Sequence, residues 1–362
     1  MFSSKNVAVF ASMTGDYPNI GDAVIRRLAL DWVPDRNRCE IYVGRSPEVW
    51  ASQIGAVGKG TVYRGRMGGA KWLMKLVLSK SPVLLYEPGE VALPRKAVLR
   101  EGFFALLNLL VRCKRGVVVY TPRSIVRADR FALFVYRMQV SLGNYAFWRE
   151  PTTSQLGLKG KPSPDIAFSL RAFRTGGDSG IDADDARKLL VVSMRGKRSL
   201  PSHDWFRAVQ NTAERHGLEI VATSQVQEDA ERAQELANRL GGSVVPWSSD
   251  VEAHEKSLLD IYGRARLVVS DRLHVLAIAG VNGASVAELA PQPSGKVANH
   301  FAQVGLHNVS TDSSVASVSD QSDFLSSRIR SRLEQAEIFA EAKRKTEESF
   351  APVIRMLEGH AK

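Results

Sequence analysis

The sequence is poor in cysteine: its 362 residues include only two, Cys39 and Cys113. So few thiols exclude a disulfide scaffold and a cysteine-rich zinc site, and they suit a reducing compartment. No apolar run reaches the length of about 18 residues that a membrane-spanning helix requires. Residues 1–5 lead directly into a predicted strand, without the apolar core of a signal peptide. We therefore expect a cytoplasmic protein.

Sequence signatures of several common enzyme classes are also missing. The chain has no phosphate-binding P-loop, no His-Glu-x-x-His metal motif and no Gly-x-Ser-x-Gly nucleophile elbow. Its first predicted strand is not followed by the Gly-x-Gly-x-x-Gly of a dinucleotide-binding turn. No clustered set of ligand residues indicates a metal. We expect neither a metal nor a bound cofactor.

The length and the pattern of apolar runs predict an α/β protein with two domains. At roughly 150 residues per domain, 362 residues correspond to two domains. Short apolar runs alternate with amphipathic helical patterns, which predicts parallel strands covered on both faces. The predicted strands are residues 6–11, 82–86, 116–120, 144–148, 189–194, 218–222, 243–245, 267–269 and 284–289. The predicted helices are residues 22–32, 203–216 and 227–240, followed by a charged helical tail.

A polar, glycine-containing segment divides the chain. Residues 171–185 interrupt the strand–helix alternation and predict a linker. We predict that residues 1–170 and 186–320 form two Rossmann-like domains and that residues 321–362 form the C-terminal helical tail. Ligands of such folds bind at the carboxyl ends of strands, and two domains favour a shared cleft. Functional residues should therefore directly follow strands.

The excess of positive over negative charge is confined to the first half of the chain. Residues 1–170 hold 25 Lys and Arg against 12 Asp and Glu, whereas residues 171–362 hold 24 against 26. Cations are densest between Arg95 and Arg137, where they alternate with apolar blocks. Such segments bind anionic membrane surfaces, or they form core-facing helices with solvated basic outer faces. Nucleic acid is disfavoured, because no helix-turn-helix, zinc-finger or RNP pattern accompanies the charge.

The segment after the first predicted strand carries the first candidate residues. Residues 15–22 include Asn19, Gly21 and Asp22. Gly21 permits a close backbone approach, and Asp22 is placed as the N-cap of the next helix. In a ligand-facing loop, Asn19 and Gly21 would line the cleft and Asp22 would orient a hydroxyl or act as a base. The alternative is an ordinary loop and helix cap.

Two later segments carry cations that suit an anion. Arg195 begins an Arg-Gly-Lys-Arg run after the strand at 189–194, which fits an anion unless it is a surface turn. Arg272, Leu273 and His274 open an almost wholly apolar helix after the strand at 267–269. A helix N-terminus attracts anions through its free N–H groups and its dipole. An arginine and a histidine placed there predict an anion site with a proton donor beside it.

Three further residues lie at or beyond strand ends. Arg149 follows the strand at 144–148 and Glu288 lies at the end of the strand at 284–289, so both are predicted to line the cleft. Lys296, one loop beyond Glu288, either contacts a phosphate or is an ordinary surface lysine.

These segments resemble the polysaccharide pyruvyl transferase family between residues 15 and 306. The resemblance is carried by Asn19-Ile20-Gly21-Asp22, Trp148-Arg149-Glu150-Pro151-Thr152-Thr153-Ser154-Gln155-Leu156-Gly157, Pro164-Asp165-Ile166-Ala167-Phe168, Arg195, Ser270-Asp271-Arg272-Leu273-His274 and Lys296. The sequence departs from the family where Tyr86-Glu87-Pro88-Gly89-Glu90 replaces a glycine-rich turn and where Arg149-Glu150 replaces Arg-Asp.

The resemblance implies a glycosyltransferase-B-like fold and transfer of pyruvate from phosphoenolpyruvate to hydroxyls of a saccharide, usually as a ketal. Such a reaction belongs to exopolysaccharide, cell-wall glycan or glycolipid biosynthesis. Phosphoenolpyruvate would be a co-substrate of the second domain, and the basic first domain would take a saccharide or lipid-linked saccharide. The residues implied for phosphoenolpyruvate are Arg195, Arg272, Leu273 and Lys296. Arg272 and His274 would be catalytic, with Asp22 as base or hydroxyl-orienting group.

Two other functions stay open on the sequence. One is a glycosyltransferase of the same architecture that uses a nucleotide-sugar, which requires a pocket for the base and the ribose. The other is a non-catalytic module that binds an anionic glycan or lipid through the basic first half. Peripheral association with the inner face of the cytoplasmic membrane is expected if the basic segments meet anionic lipid.

Overall fold

A computed structural model describes residues 8–34, 38–172 and 187–359, which form two compact units. The first unit comprises Met1–Tyr17, Asp22–Ile166 and Lys345–Lys362. The second unit comprises Pro18–Gly21 and Ala167–Arg344. Most of the predicted linker, residues 171–185, lies outside the described residues.

The first unit is built on one parallel sheet. Its strands are, in chain order, β1 Ala8–Ser12, β2 Arg38–Tyr42, β3 Gly60–Tyr63, β4 Val83–Tyr86, β5 Gly89–Leu93, β6 Val117–Ala128, β7 Tyr145–Trp148 and β8 Lys161–Pro162. They lie in the order β3-β2-β1-β4-β6-β7-β8, and β5 pairs with the second half of β6. The chain thus builds the sheet outward from β1 to one side and then outward from β4 to the other, which is the doubly wound arrangement.

Helices cover both faces of this sheet. They are α1 Ile20–Leu30, α2 Glu48–Gln53, α3 Gly65–Leu78, α4 Val98–Cys113, α5 Arg130–Ser141 and α6 Pro151–Ser154. Trp72 of α3, Leu107 of α4 and Tyr136 of α5 share one hydrophobic core with Leu84 and Val118 of the sheet. These three helices therefore pack on the same face, as the apolar strands require.

The second unit repeats the same plan. Its strands are β9 Leu189–Ser193, β10 Glu219–Ala222, β11 Ser243–Val244, β12 Ala265–Ser270, β13 Ser285–Ala290 and β14 Ser310–Asp312. They are parallel and lie in the order β11-β10-β9-β12-β13-β14. The direction of winding reverses between β9 and β12, so these two strands are neighbours at the switch point of the sheet.

The helices of the second unit bury the sheet and include most of the predicted tail. They are α7 His203–His216, α8 Ala230–Leu240, α9 Val251–Arg264, α10 Leu273–Val281, α11 Lys296–Gln303, α12 Val318–Arg330 and the start of α13 Arg332–Gly359. Ser202 caps α7 by accepting from Trp205 N, and Gly217 ends it in the left-handed region at φ 60°. Trp205 and Leu325 pack with Leu190 of β9 in one core.

The segment predicted as a tail contributes side chains to both units. Helix α12 packs against α7 and β13. Phe339 of α13 lies over α10 at Gly280, where a Cβ atom would come within 1.9 Å of its ring. Phe350, later in α13, packs against the rings of Trp32 and Phe147 at centroid distances of 4.5 and 5.1 Å within the first unit. The apolar positions of the charged tail are therefore core positions.

Two local predictions were wrong. Helix α1 begins at Ile20, so Asp22 lies in its first turn and is not its N-cap. Strand β6 runs to Ala128, eight residues beyond the predicted end at Tyr120, because its second half is held by pairing with β5. Backbone pairing, which leaves no apolar pattern, decides this extension. Among the described residues, no helix is long and apolar enough to cross a membrane.

A buried carboxylate joins two strands and a helix in the first unit. Glu40 of β2 is fully buried and accepts hydrogen bonds from Tyr63 Oη at 2.5 Å, Arg38 Nε at 2.6 Å and Lys75 Nζ at 3.2 Å. Burial by itself raises the pKa of Glu40, but these hydrogen bonds outweigh it and leave the pKa below its ordinary value. The ionised form is therefore the one that stabilises the fold.

We expect Glu40→Gln to lower the free energy of unfolding at neutral pH by about 1.5 kcal/mol, because the charge-assisted hydrogen bonds from Tyr63, Arg38 and Lys75 to the carboxylate are lost or weakened. The folded pKa is depressed, so the contribution of the wild-type carboxylate is present above the unfolded pKa and is lost as pH falls through the folded pKa. Urea unfolding at a series of pH values checks this: the gap between the two proteins should close in acid. A gap independent of pH would contradict it.

Candidate anion-binding site

The switch point of the second sheet brings two predicted segments together. Arg195 follows β9 and Arg272 follows β12, and these strands pair directly, with Ser193 opposite Ser270. Because the chain leaves the two strand ends in opposite directions, a crevice opens at their carboxyl ends. Side chains of both segments are therefore placed at one edge of the sheet.

Hydrogen bonds tie the two loops to each other. Asp271 accepts from Arg195 N at 3.0 Å. Ser270 Oγ donates to Ser193 O at 2.5 Å and accepts from Arg272 N at 3.0 Å. Asp271 and Ser270 are buried, so these bonds are shielded from water. The Ser-Asp-Arg motif thus fixes the backbone from which the cations project.

Two arginines of the first loop face the same carboxylate. Asp271 Oδ2 lies 4.0 Å from Arg195 Nε and 3.3 Å from Arg198 Nε. Arg195 Nε and Arg198 Nη1 are shielded from solvent and have no hydrogen-bond partner among the described residues. Buried donors of this kind require an acceptor. Asp271 Oδ2, which also lacks a hydrogen bond from those residues, is the nearest acceptor, and the two arginine side chains are still 33% and 27% exposed, so they could also meet an anion from solvent.

Hydrogen bonds from a side chain of α8 hold the loop that carries these arginines. Arg232 donates to the carbonyl oxygens of Gly196 and Arg198 at 3.3 and 2.9 Å. Gly196 N donates to Asp229 Oδ1 at 2.8 Å. A Cβ atom at position 196 would lie 2.8 Å from Glu228 O, so the close packing here needs glycine. The backbone that carries the cations is therefore held by the fold.

Arg272 lies at the same edge of the sheet and also pairs with a buried acid, Asp229. Its Nε donates to Asp229 Oδ2, and its Nη2 forms an ion pair with the same oxygen and lies 4.0 Å from Glu228 Oε1. Asp229 is buried, and burial raises its pKa although Arg272 opposes the shift. Asp229 was not singled out from the sequence, since it belongs to an ordinary helical pattern. The pairing means that part of the role of Arg272 is to neutralise a buried acid.

His274 stands out in an otherwise enclosed helix. Seven of the nine residues of α10 are buried, Leu273 among them, whereas His274 in its first turn is half-buried. A Cβ atom at Gly21 would lie 2.8 Å from both Cβ and Nδ1 of His274. The close approach expected at Gly21 is therefore made to the histidine.

Residues 18–21 belong to the second unit through several contacts. Asn19 forms an isolated antiparallel bridge with Val226, and Ile20 N donates to Gln225 O at 3.1 Å. Together with the contact between Gly21 and His274, these bonds attach the segment to the loops beyond β10 and β12. The predicted residues Asn19, Gly21, Arg195, Arg272 and His274 are thus all parts of this unit's carboxyl edge.

Two other predicted residues lie farther along the same sheet. Lys296 is the first residue of α11 and is half-buried. Glu288 of β13 is buried and accepts from Ser310 Oγ at 2.6 Å. Burial raises the pKa of Glu288, the charge of Asp271 adds to the rise, and the nearby arginines partly offset it. Its hydrogen bond directs Glu288 toward β14.

The first unit has its own cavity at the carboxyl ends of β1 and β4. A cavity of about 580 Å³ is lined by α3 and α4 and by Glu87, Glu90 and Arg123. A second cavity of about 320 Å³ shares these three residues and adds Asp16 and Arg26. The segment at 86–90, which departs from the family pattern, therefore lines both cavities. The sequence indicated the segment at 86–90 only by its position at the end of a predicted strand.

Arg123 forms the polar floor of the larger cavity. Its guanidinium lies over the rings of Tyr86 and Tyr120 at 5.2 and 5.5 Å, and these rings stack on each other at 4.6 Å. Its Nε donates to Glu87 O at 2.7 Å. Although burial opposes it, the surrounding tyrosines and Glu87 raise the pKa of Arg123 above its usual value. A fixed cation, aromatic side chains and the carboxylates of Glu87, Glu90 and Glu101 line this cavity, which suits a polar ligand with an apolar face.

Asp22 and Arg149 lie in the first unit. Asp22 accepts from Asp16 N at 3.2 Å and lies 3.3 Å from Nη1 of the buried Arg26. Arg149 is buried and binds Asp165 at 2.6 Å. This pair joins the Trp148-Arg149 segment to the Pro164-Asp165 segment. In the described ranges, no group of three or more His, Cys, Asp or Glu side chains could hold a metal.

No protein-family model matches the sequence, and no curated protein is significantly similar to it. Solved structures are similar in fold. The UDP-GlcNAc 2-epimerase from Neisseria meningitidis, bound to UDP-GlcNAc, matches with a TM-score of 0.60 at 8% identity, over 97% of this chain and 100% of that chain. Anabaena Alr3699/HepE in complex with UDP matches at 0.55 and 12% identity, over 98% of both chains. The glycotransferase of kitacinnamycin matches at 0.54 and 10%, over 98% of both.

This chain therefore has a glycosyltransferase-B-like fold of two parallel-sheet α/β domains with C-terminal helices. The similarity extends over nearly the whole chain, so the fold class predicted from the sequence is confirmed. At 8 to 12% identity the likeness carries the fold alone.

We expect Arg272→Met to lower the free energy of unfolding by about 2 kcal/mol or more, because it leaves the buried Asp229 without its counter-charge. The double variant Arg272→Met/Asp229→Asn should recover most of this loss. Chemical denaturation of the two single variants and the double variant measures the coupling. Additive losses would contradict the pairing.

Proposed function

We propose that this protein transfers pyruvate from phosphoenolpyruvate to hydroxyls of a saccharide. The observation that carries the proposal is the shared edge of β9 and β12, where Arg195 and Arg198 lie beside Asp271 and each has a nitrogen without a hydrogen bond in the described part of the chain. Phosphoenolpyruvate is proposed as the donor because the Ser-Asp-Arg-Leu-His segment resembles the polysaccharide pyruvyl transferase family. Phosphoenolpyruvate carries a carboxylate and a phosphate, and guanidinium groups suit both.

His274 is proposed to move the proton of the reaction. It would protonate the methylene carbon of phosphoenolpyruvate, which makes C2 electrophilic. A sugar hydroxyl then adds to C2 and loses its proton to a base, for which Asp22 is proposed. Inorganic phosphate leaves with the electrons of its C–O bond, stabilised by the arginines, and a second hydroxyl closes the ketal as it loses its proton. Lys296 and Leu273 would complete the donor site.

The acceptor is proposed to bind in the first unit. The cavity there is lined by Tyr86, Phe103 and Phe104 together with Glu87, Glu90 and Arg123. Aromatic faces pack on the apolar faces of sugar rings, and carboxylates accept from hydroxyls. This combination supports a saccharide as the ligand.

A second candidate is transfer from a nucleotide-sugar. It is favoured by solved structures of similar fold, in which UDP-GlcNAc, UDP and UDP-glucose are bound. These comparisons support a nucleotide-sugar better than phosphoenolpyruvate. The cations at the β9–β12 edge also suit a diphosphate. The two candidates differ in the donor that the same edge would bind.

The first test compares Arg195→Met with Lys197→Met. Lys197 is a matched control, because it lies in the same loop, is exposed and pairs with Glu228 at 2.6 Å. We expect Arg195→Met to weaken phosphoenolpyruvate binding about 10- to 100-fold, because the ligand loses a charge-assisted hydrogen bond. Lys197→Met should bind as wild type. Isothermal titration with phosphoenolpyruvate, and separately with UDP, measures both.

These titrations distinguish phosphoenolpyruvate from a nucleotide-sugar as the donor. Binding of phosphoenolpyruvate that depends on Arg195 supports pyruvyl transfer. Binding of UDP with no binding of phosphoenolpyruvate replaces it with the nucleotide-sugar candidate. Binding of neither, or equal binding by both variants, contradicts an anion site at this edge.

A further prediction concerns turnover. We expect His274→Asn to retain phosphoenolpyruvate binding while it lowers acceptor-dependent phosphate release by about 100-fold or more, as removal of a general acid does. The assay measures phosphate released from phosphoenolpyruvate with a panel of glycan acceptors. Wild-type turnover by His274→Asn would exclude the histidine as the proton donor.

A further inference from the structure

The helices α3, α4 and α5 are apolar on both sides. Their inner sides belong to the core of the first unit. Their outer sides expose large apolar residues, with exposed fractions from 40% to 86%: Met67, Met74, Val77, Leu78, Leu99, Phe103, Leu106, Leu109, Phe131, Phe134 and Met138. We call these residues the α3–α5 face. It holds 11 of the 16 exposed large apolar residues in the described part of the chain.

The exposed residues recur at helical spacing. On α4 they include Leu99, Phe103 and Leu106, and on α5 they are Phe131, Phe134 and Met138, three or four residues apart. Each helix therefore presents a stripe along its outer side. Scattered apolar residues are normal on a protein surface, but a concentration of this size marks an interaction surface.

The charge around this face is positive. Residues 60–141 hold 15 Lys and Arg against 4 Asp and Glu, a net charge of +11 that equals that of the whole chain. Of the four acids, Glu101 is buried and Asp129 caps α5 by accepting from Phe131 N at 3.0 Å. The exposed cations on or next to the three helices include Arg66, Lys71, Lys80, Lys96, Arg100, Arg112 and Arg130.

We propose that the α3–α5 face docks on an anionic lipid bilayer. Its apolar stripes would enter the boundary between headgroups and acyl chains, and its lysines and arginines would meet the lipid phosphates. A second copy of the chain is disfavoured as the occupant, because two faces of the same strong positive charge repel each other. A bilayer is the surface that combines an apolar layer with negative charge.

The larger cavity of the first unit adjoins this face. Phe103 belongs to the face and also lines the cavity, together with Arg66 and Arg100. A ligand in the cavity is therefore close to the docked bilayer. If the proposed function holds, this placement favours a lipid-linked saccharide as the acceptor. The docking itself does not depend on the proposed function.

Vesicle flotation of the full chain tests the proposal. The apolar variant is Leu99→Ser/Leu106→Ser/Phe134→Ser, and the charge variant is Lys71→Gln/Lys96→Gln/Arg130→Gln; all six side chains are exposed. The vesicles are pure phosphatidylcholine and phosphatidylcholine mixed with phosphatidylglycerol. We expect wild type to float with the mixed vesicles and to be released by salt. The charge variant should bind on the order of 100-fold more weakly, and the apolar variant at least tenfold more weakly.

Matched controls change the same kinds of residue elsewhere. They are Val57→Ser/Val315→Ser/Leu333→Ser and Arg207→Gln/Lys256→Gln/Arg355→Gln, all exposed in the described chain. Both controls should float like wild type. Absence of wild-type flotation, or an equal loss in the controls, overturns the proposal. Self-association in sedimentation velocity that the apolar variant abolishes, without vesicle binding, would assign the face to a second copy of the chain instead.

Discussion

Coverage of both sheets by helices is the constraint on which the rest of this structure depends. Parallel strands that are buried on both faces accept a polar side chain along their length only where it is well paired, as Glu40 is. Chemistry is therefore confined to the strand ends. In each unit the order of the strands reverses once, and the reversal leaves a crevice at the carboxyl edge. The Arg195 and Arg272 loops in the second unit and the cavity in the first unit both lie at such reversals.

Buried acids hold the cations of the second unit in place. Asp271 receives the backbone of Arg195 and faces Arg198, while Asp229 binds Arg272 and the backbone of Gly196. A buried charge is costly unless it is paired, so each acid fixes its partner strongly. The arrangement provides preorganised positive groups with few free rotations. It also means that a substitution of Arg272 affects stability and binding together, whereas Arg195 contributes only a 4.0 Å approach to Asp271 through its side chain.

Two groups of apolar helices in this protein differ in their exposure to solvent. Helix α10 is apolar except for His274 and is largely enclosed, with Phe339 filling the space over Gly280. Helices α3, α4 and α5 are apolar on both sides as well, yet their outer stripes stay exposed. In sequence the two patterns look alike, except that cations accompany the exposed helices. Charge next to an apolar stripe is the feature that distinguishes an interfacial helix from a core helix.

Site residues whose position follows from the neighbouring sequence could be predicted, whereas residues that reach the site through tertiary packing could not. The strand ends at Arg195 and Arg272 were visible, because apolar runs are bounded by polar residues. The partners Asp229 and Arg232 were not, since they belong to ordinary surface-like helical patterns and reach the site only through packing. Arg149 was visible as a strand-end residue, but its burial against Asp165 depends on a segment 16 residues away.

The sequence by itself determined the α/β class, the alternation of strands and helices, and the basic character of the first half, because these follow from local patterns of side chains. The tertiary structure decided which strands are neighbours, and so which cations share an edge. It also decided that Gly21 lies against His274 and that β6 continues beside β5. These features arise from contacts between residues distant in sequence, where close packing and backbone pairing, which local patterns do not record, select the arrangement.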